Sequence, residues 1–137
     1  MAVLAQLLVT LALVGHPATR VPPGVWTIEI RSPARVLRVT ERGRVRRIER
    51  WLDALPAAKP GTYYCPMIIR AGTPTVRFAF RAANGSVLAR ASMLDALKGH
   101  SGPCNPIAFS LPRHPETPLT GGRFLLQVQR LLGVRFD

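Results

Sequence analysis

Apolar and polar positions change rhythm twice in the first third of the chain. In VWTIEIR, Trp26, Ile28 and Ile30 alternate with Val25, Thr27, Glu29 and Arg31, the period of two that a half-buried strand requires. ARVLRVT, residues 34–40, is rich in β-branched side chains and predicts a second strand, or an extension of the first, after the break at Ser32-Pro33. From Arg42 the period becomes helical. Val45, Ile48, Leu52 and Leu55 recur at spacings of three and four, with Arg42, Arg46, Glu49, Arg50 and Asp53 on the opposite side. Thr40 is the expected cap of this helix and Pro56 its stop.

Further on, TVRFAFRAANGSVLARASM predicts a hairpin. Asn84-Gly85 favours a two-residue type I′ turn, because both central positions need positive φ. Pairing Ala83 with Ser86 then sets Phe80 opposite Ala89, Phe78 opposite Ala91 and Val76 opposite Met93. One face becomes apolar, while Arg77, Arg81, Arg90 and Ser92 share the other. IAFSL offers one more short strand, and GGRFLLQVQRLLG predicts a closing helix with a stripe of Phe124, Leu125, Val128, Leu131 and Leu132. Thr120 is its expected cap and Gly133 its stop. The element order predicts an α+β fold: a small single domain with an antiparallel sheet of about four to five strands packed by two helices.

Length agrees with one domain, since 137 residues, 47% of them hydrophobic, suffice for one core. MAVLAQLLVTLALVG carries no charged side chain. It is short of the roughly 20 apolar residues that span a bilayer and matches the apolar region of an export signal. Residues 1–18 are therefore read as an export signal or membrane-anchoring segment and 19–137 as the domain; a buried segment of a cytosolic protein is the remaining reading. HPATRVPPG makes the junction, its prolines and glycine disfavouring regular structure.

Charge sharpens the picture. The formal net charge is +12, and only Lys59 and Lys98 among the 19 basic residues are lysines, an arginine excess that also suits GC-rich coding. Eight arginines lie between Arg31 and Arg50 against Glu41 and Glu49. Arg42, Arg46 and Arg50 fall along one helical stripe, and Arg47 is placed to stack on Trp51. Guanidinium groups in such a cluster hold phosphates or carboxylates in bidentate fashion. Arg42, Arg46, Arg47 and Arg50 are thus the candidate anion-binding residues, with a merely solvated face as the alternative.

Cys65 and Cys104 are the two cysteines, and in an exported chain two cysteines most simply form one disulfide. The prolines and glycines around both suit turns that bring loop cysteines together. Two separate buried thiols are the bland alternative. A metal site from Cys65, His100, Cys104 and His114 is the sharper one, but the local Cys-x-x-Cys or His-x-x-x-His spacing of such sites is missing. Nor is there a nucleophile with a base and an orienting acid, a phosphate-cradling glycine loop, or a pair of carboxylates free of arginine. Glu49 and Asp53 alternate with Arg46 and Arg50 and are read as members of surface ion pairs, and His114 with Glu116 as part of a polar loop.

LPAAKPGTYYCP, the PTVRFAFRAANGSVLARA hairpin, one later cysteine and the RFLLQVQRLLG stretch together resemble small exported actinobacterial proteins of uncharacterised function. The resemblance covers most of residues 33–133, and its core is the spacing of Leu55-Pro56, Pro60-Gly61 and Cys65-Pro66. It implies a secreted or lipid-anchored domain with paired cysteines, in keeping with a Cys65–Cys104 disulfide, and it implies no reaction. CPMIIRAG lacks the acidic residue that often follows the cysteine in that family, so no acidic or metal-linked role is expected of this loop.

The expectation is a secreted or envelope-located, non-enzymatic domain without cofactor or metal. Anionic cell-envelope polymers would be its partners, and the membrane would be met only through the N-terminal segment. The first alternative is an inhibitor or protein-binding module using residues 57–72 around Cys65. A cytosolic nucleic-acid-binding protein is the other, for which the sequence holds no recognition motif.

Overall fold

The alternating and helical segments assemble, in the computed structural model, into one antiparallel sheet with two helices. The structure describes residues 20–61, 63–65, 71–96 and 99–136. The elements are β1 Val25–Arg31, β2 Val36–Val39, α1 Arg42–Asp53, β3 Thr75–Ala82, β4 Val87–Leu94, β5 Ile107–Ser110, β6 Thr117–Leu119 and α2 Phe124–Leu132. The sheet has six strands in the order β2-β1-β3-β4-β5-β6. This is the α+β architecture expected, with one strand more than the pattern predicted. The addition is β6, three residues long and carrying Pro118, too short for an alternation to show.

Both helices lie on one face of the sheet. Ile28 and Ile30 of β1, Phe78 and Phe80 of β3, and Phe109 of β5 are almost fully buried beneath Val45, Ile48 and Leu52 of α1 and Phe124, Leu125 and Val128 of α2. Phe78 meets Phe124 with ring centroids 5.2 Å apart in a tilted pair, an arrangement favoured by the ring quadrupoles. Phe136 closes the core after α2. Helix α2 ends as expected at Gly133, whose φ of 66° is the left-handed region glycine enters freely.

Three local expectations are corrected. Helix α1 is capped by Glu41 rather than Thr40: its carboxylate accepts from the backbone N–H of Gly43 at 2.7 Å and of Arg44 at 2.9 Å. Helix α2 starts with no side-chain cap, and Thr120 instead donates its backbone N–H to Pro56 O at 3.0 Å. In β1 the register shifts between Val25 and Thr27, so the bulge turns Val25 into the core and leaves Trp26 54% exposed.

The hairpin has the expected strand register, but a different turn makes it. Gly85 N donates to Ala82 O and Ala82 N to Ser86 O, both at 2.9 Å, with Gly85 at φ 87°. Asn84 keeps negative φ, and its side chain accepts from Ser86 N at 3.0 Å. This is a three-residue loop closed by a glycine bulge, not a type I′ turn. Alone it would shift the strands by one residue. A second irregularity, between Phe80 and Arg81, restores Phe80 opposite Ala89 and Phe78 opposite Ala91.

The outer edge of β6 is covered by the segment after α1, where Ala58 N donates to Pro118 O at 2.8 Å and an unpaired strand edge is removed. At the opposite edge β2 is only four residues long. Among the described residues, no helix is long and apolar enough to cross a membrane. The expected export signal at 1–18 lies outside the described residues.

Candidate functional site

The predicted arginine cluster sits where the helical period placed it. Val45, Ile48 and Leu52 take the buried stripe of α1, which leaves Arg44, Arg46, Arg47 and Arg50 exposed. Arg42 is different. Its guanidinium lies 4.1 Å from the ring centroid of Trp26 and donates to the carbonyls of Val25 and Trp26. The bulge in β1 turns these groups toward the start of α1, and Arg42 serves to join helix to strand. The ring contact expected of Arg47 and Trp51 is thus found at Arg42 and Trp26, while Trp51 packs against the core.

Glu49 and Asp53 make no ion pair with Arg46 or Arg50 within 4 Å among the described residues, contrary to the expectation. Asp53 accepts from Val21 N at 2.8 Å and fastens the chain's approach to β1. Burial raises the pKa of both carboxyls above the ordinary range, and at Glu49 the neighbouring charge of Asp53 adds to the effect. The exposed arginines of α1 therefore keep their charge unneutralised by close contacts.

A second arginine surface lies on the sheet face turned away from the helices. Period two brings Arg77, Ala79 and Arg81 of β3 to that face, and the registers add Glu29 opposite Ala79, Arg31 opposite Arg77, Arg90 opposite Ala79 and Arg38 opposite Glu29. Five arginines surround one glutamate. Glu29 Oε1 accepts from Arg31 Nε at 2.8 Å, and Arg81 and Arg38 approach the carboxylate at 3.7 and 3.9 Å. The hydrogen bond from Arg31, reinforced by the charges of Arg31, Arg81 and Arg38, holds the Glu29 carboxyl below the ordinary carboxylate range against the opposing effect of burial.

Ala79 forms the low point of this face. It is only 6% exposed although it faces outward, because the longer side chains around it close over its methyl group. A depression of about 170 Å³ results, lined by Glu29, Arg31, Arg77, Arg81 and Arg90. Arg77 and Arg90 have no acidic partner within 4 Å among the described residues. The three arginines of the hairpin were legible as its polar face; the pairing of β1 with β3, which brings in Glu29 and Arg31, has no local signal.

Cys65 and Cys104 form a disulfide with their Cα atoms 5.5 Å apart. The loop that carries Cys104 is fastened first: Asn105 Nδ2 donates to Leu94 O at 3.0 Å, Ser101 Oγ to Gly121 O, and Gly121 N to Ser101 O at 2.8 Å. Gly99, at φ 76°, approaches α2 so closely that a Cβ there would lie 2.8 Å from Leu126 N. The cysteine segment is then tied to this frame, leaving Tyr64 89% exposed beside the bond. With both sulfurs joined, the set of Cys65, His100, Cys104 and His114 loses the thiolates a metal would need. His114 Nδ1 lies 2.9 Å from Pro112 O within its own exposed turn, and His100 lines an open groove of about 720 Å³ beside α2 with Asp95, Arg123, Arg130 and Arg135.

No family model, curated protein or solved structure matches the chain.

Proposed function

We propose that the chain is an exported, disulfide-stapled, non-enzymatic binding domain of an actinobacterial envelope, and that it holds anionic envelope polymers on the exposed side of α1. One observation carries the reading: Arg46, Arg47 and Arg50 stand exposed on helix α1 and, among the described residues, no carboxylate lies within 4 Å of them. Such a stripe attracts a polyanion over long range and binds it by many weak contacts. The Cys65–Cys104 bond supports an oxidising compartment, since disulfides persist there and are rare where thiols are kept reduced.

Retention on an anionic matrix tests this. Arg46→Ser, Arg47→Ser and Arg50→Ser together are expected to elute at lower salt than the parent with an unchanged fold. Arg42 stays in place, because its removal would release Trp26 and the bulge. Equal retention of parent and variant refutes the reading.

A second reading rests on Tyr64, 89% exposed on a segment held by the disulfide. A rigid loop with a bare aromatic loses little freedom on binding a protein. If this loop is the contact, a screen against proteases shows inhibition by the oxidised chain that vanishes on reduction and in Tyr64→Ala.

A further inference from the structure

We propose that the depression over Ala79 on the open face of the sheet is a binding site for a phosphate-class dianion, either free phosphate or the end group of a phosphomonoester. The inference is independent of the α1 reading, since it concerns other residues on another element.

The first argument is the placement of uncommitted charge. Arg31, Arg38 and Arg81 share Glu29, whereas Arg77 and Arg90 border the same depression without an acidic partner within 4 Å among the described residues. Arg77 stands directly opposite Arg31 in the β1–β3 register, an arrangement of like charges that disfavours the sheet. An anion between them reverses the sign of that interaction.

Shape supplies the second argument. Residues 77 and 81 flank Ala79 two positions away along β3, and Arg90 faces Ala79 across β4. At roughly 3.3 Å per residue and 4.8 Å between strands, all three side chains reach the space above one methyl group. A cavity of about 170 Å³ admits a tetrahedral oxyanion. Ala79 leaves the room; any larger side chain fills it.

Chemistry chooses among anions. A guanidinium presents paired N–H donors to two acceptor oxygens, and a single carboxylate is satisfied by one such fork. This face already holds a carboxylate, Glu29, in contact with Arg31. Arg77 and Arg90 converge from different strands, so their common ligand needs oxygens directed to several sides. Three terminal oxygens of a phosphate dianion meet that demand, and its two charges suit the excess of arginine. A single-stranded nucleic acid fits less well, because among the described residues no exposed aromatic side chain lines the depression for bases to stack on; two copies of the chain would bring like charges together.

The test is a titration of the oxidised full chain with inorganic phosphate at fixed ionic strength and about pH 8, followed by backbone amide NMR, with methyl phosphate, dimethyl phosphate and chloride as further probes. Inorganic phosphate is expected to give saturable shifts centred on Arg77, Ala79 and Arg90. Arg77→Gln and Arg90→Gln should each weaken binding about tenfold. Ala79→Leu, which keeps every charge, should abolish the shifts. Arg130→Ser and Arg135→Ser beside the larger groove remove equal charge elsewhere and should leave binding unchanged. If methyl phosphate binds as well as phosphate, the ligand is an ester end group; if it does not, the ligand is the free ion. Three results overturn the proposal: shifts that do not saturate, equal response to dimethyl phosphate or chloride, or equal loss in the control variants. Circular dichroism of each variant separates a lost site from a lost fold.

Discussion

The open face of the sheet and the exposed side of α1 are both arginine surfaces, and they are built on opposite plans. On the sheet, cross-strand register fixes five arginines around Glu29, whose carboxyl is held ionised by its hydrogen bond with Arg31. On α1 the arginines point to solvent, while the nearby carboxyls of Glu49 and Asp53 are half-buried and resist ionisation. Two arginine-rich surfaces therefore differ in plan, a compact, partly neutralised pocket in one place and an open row of charge in the other. The first plan suits a small ligand with several acceptors; the second suits a long one.

The strongest way to break the comparison is to remove the floor under one surface. Phe78 lies on β3 between Arg77 and Ala79 but points into the core, 5.2 Å from Phe124. Phe78→Ala is expected to cost about 3–5 kcal/mol, read as a lower midpoint in chemical denaturation. A loss under about 1 kcal/mol would mean that the sheet face does not rest on this packing. Next in size is the disulfide, which touches neither arginine surface. In the chain-entropy model a bond across 39 residues contributes about 4 kcal/mol at most. Cys65→Ser with Cys104→Ser should lower the thermal midpoint by many degrees yet leave the amide shifts of β1, β3 and β4 in place.

How much of this was legible varied with the range of the interaction. The period of α1 placed Arg46 and Arg50 on its exposed side because helical neighbours are local, but it gave no sign that Arg42 turns back to Trp26. The apolar pairing of Phe80 with Ala89 and Phe78 with Ala91 was also legible, though the turn differs: Gly85 closes a three-residue loop and a second bulge compensates. The Asn-Gly pair thus gave the right register through the wrong turn type, and the separation of apolar from charged faces agrees with that register. Trp26 was misplaced because a bulge leaves no mark in an alternating pattern. Glu29 was hidden for another reason. Its meaning depends on β1 lying beside β3, more than forty residues away, and no local period encodes that choice. The caps failed similarly: Glu41 reaches the N–H groups that Thr40 was expected to satisfy, one position later.

Acid titration sharpens the contrast with a difference of sign. Glu29 has a folded pKa below its ordinary 4.5, so its ion pairs contribute fully above that pH and are lost as pH falls through the lowered value. Glu29→Gln should be less stable than the parent at pH 7, with the gap closing in acid. Glu49 is raised above 4.5 by burial and by Asp53, so the folded state binds the proton more tightly and stability falls as pH rises from 4.5 through the raised value. Glu49→Gln should therefore be more stable than the parent at pH 7, and that gap too should close in acid. Denaturation midpoints across this range decide, and shifts of equal sign at pH 7 would erase the distinction between the two surfaces.

The smallest effect bears most directly on purpose. Arg77 faces Arg31 across the strands, and like charges in that position disfavour the sheet by about 0.2–1 kcal/mol. Arg77→Gln should accordingly raise stability slightly at low salt, and the gain should fade as salt screens the pair. Arg46→Gln on α1 should change little, because Arg46 has like-charged neighbours at Arg42 and Arg50 but also Glu49 three positions on, and such helical contacts contribute only about 0.2–0.5 kcal/mol with opposing signs. Phosphate added to the parent should stabilise it, and should do so less in Arg77→Gln, since a ligand stabilises only the state that binds it. If Arg77→Gln instead destabilises the chain at low salt, Arg77 belongs to the Glu29 network as a structural member. A gain that phosphate reverses marks a residue that weakens the sheet and strengthens the site, the signature of function outweighing stability at one position.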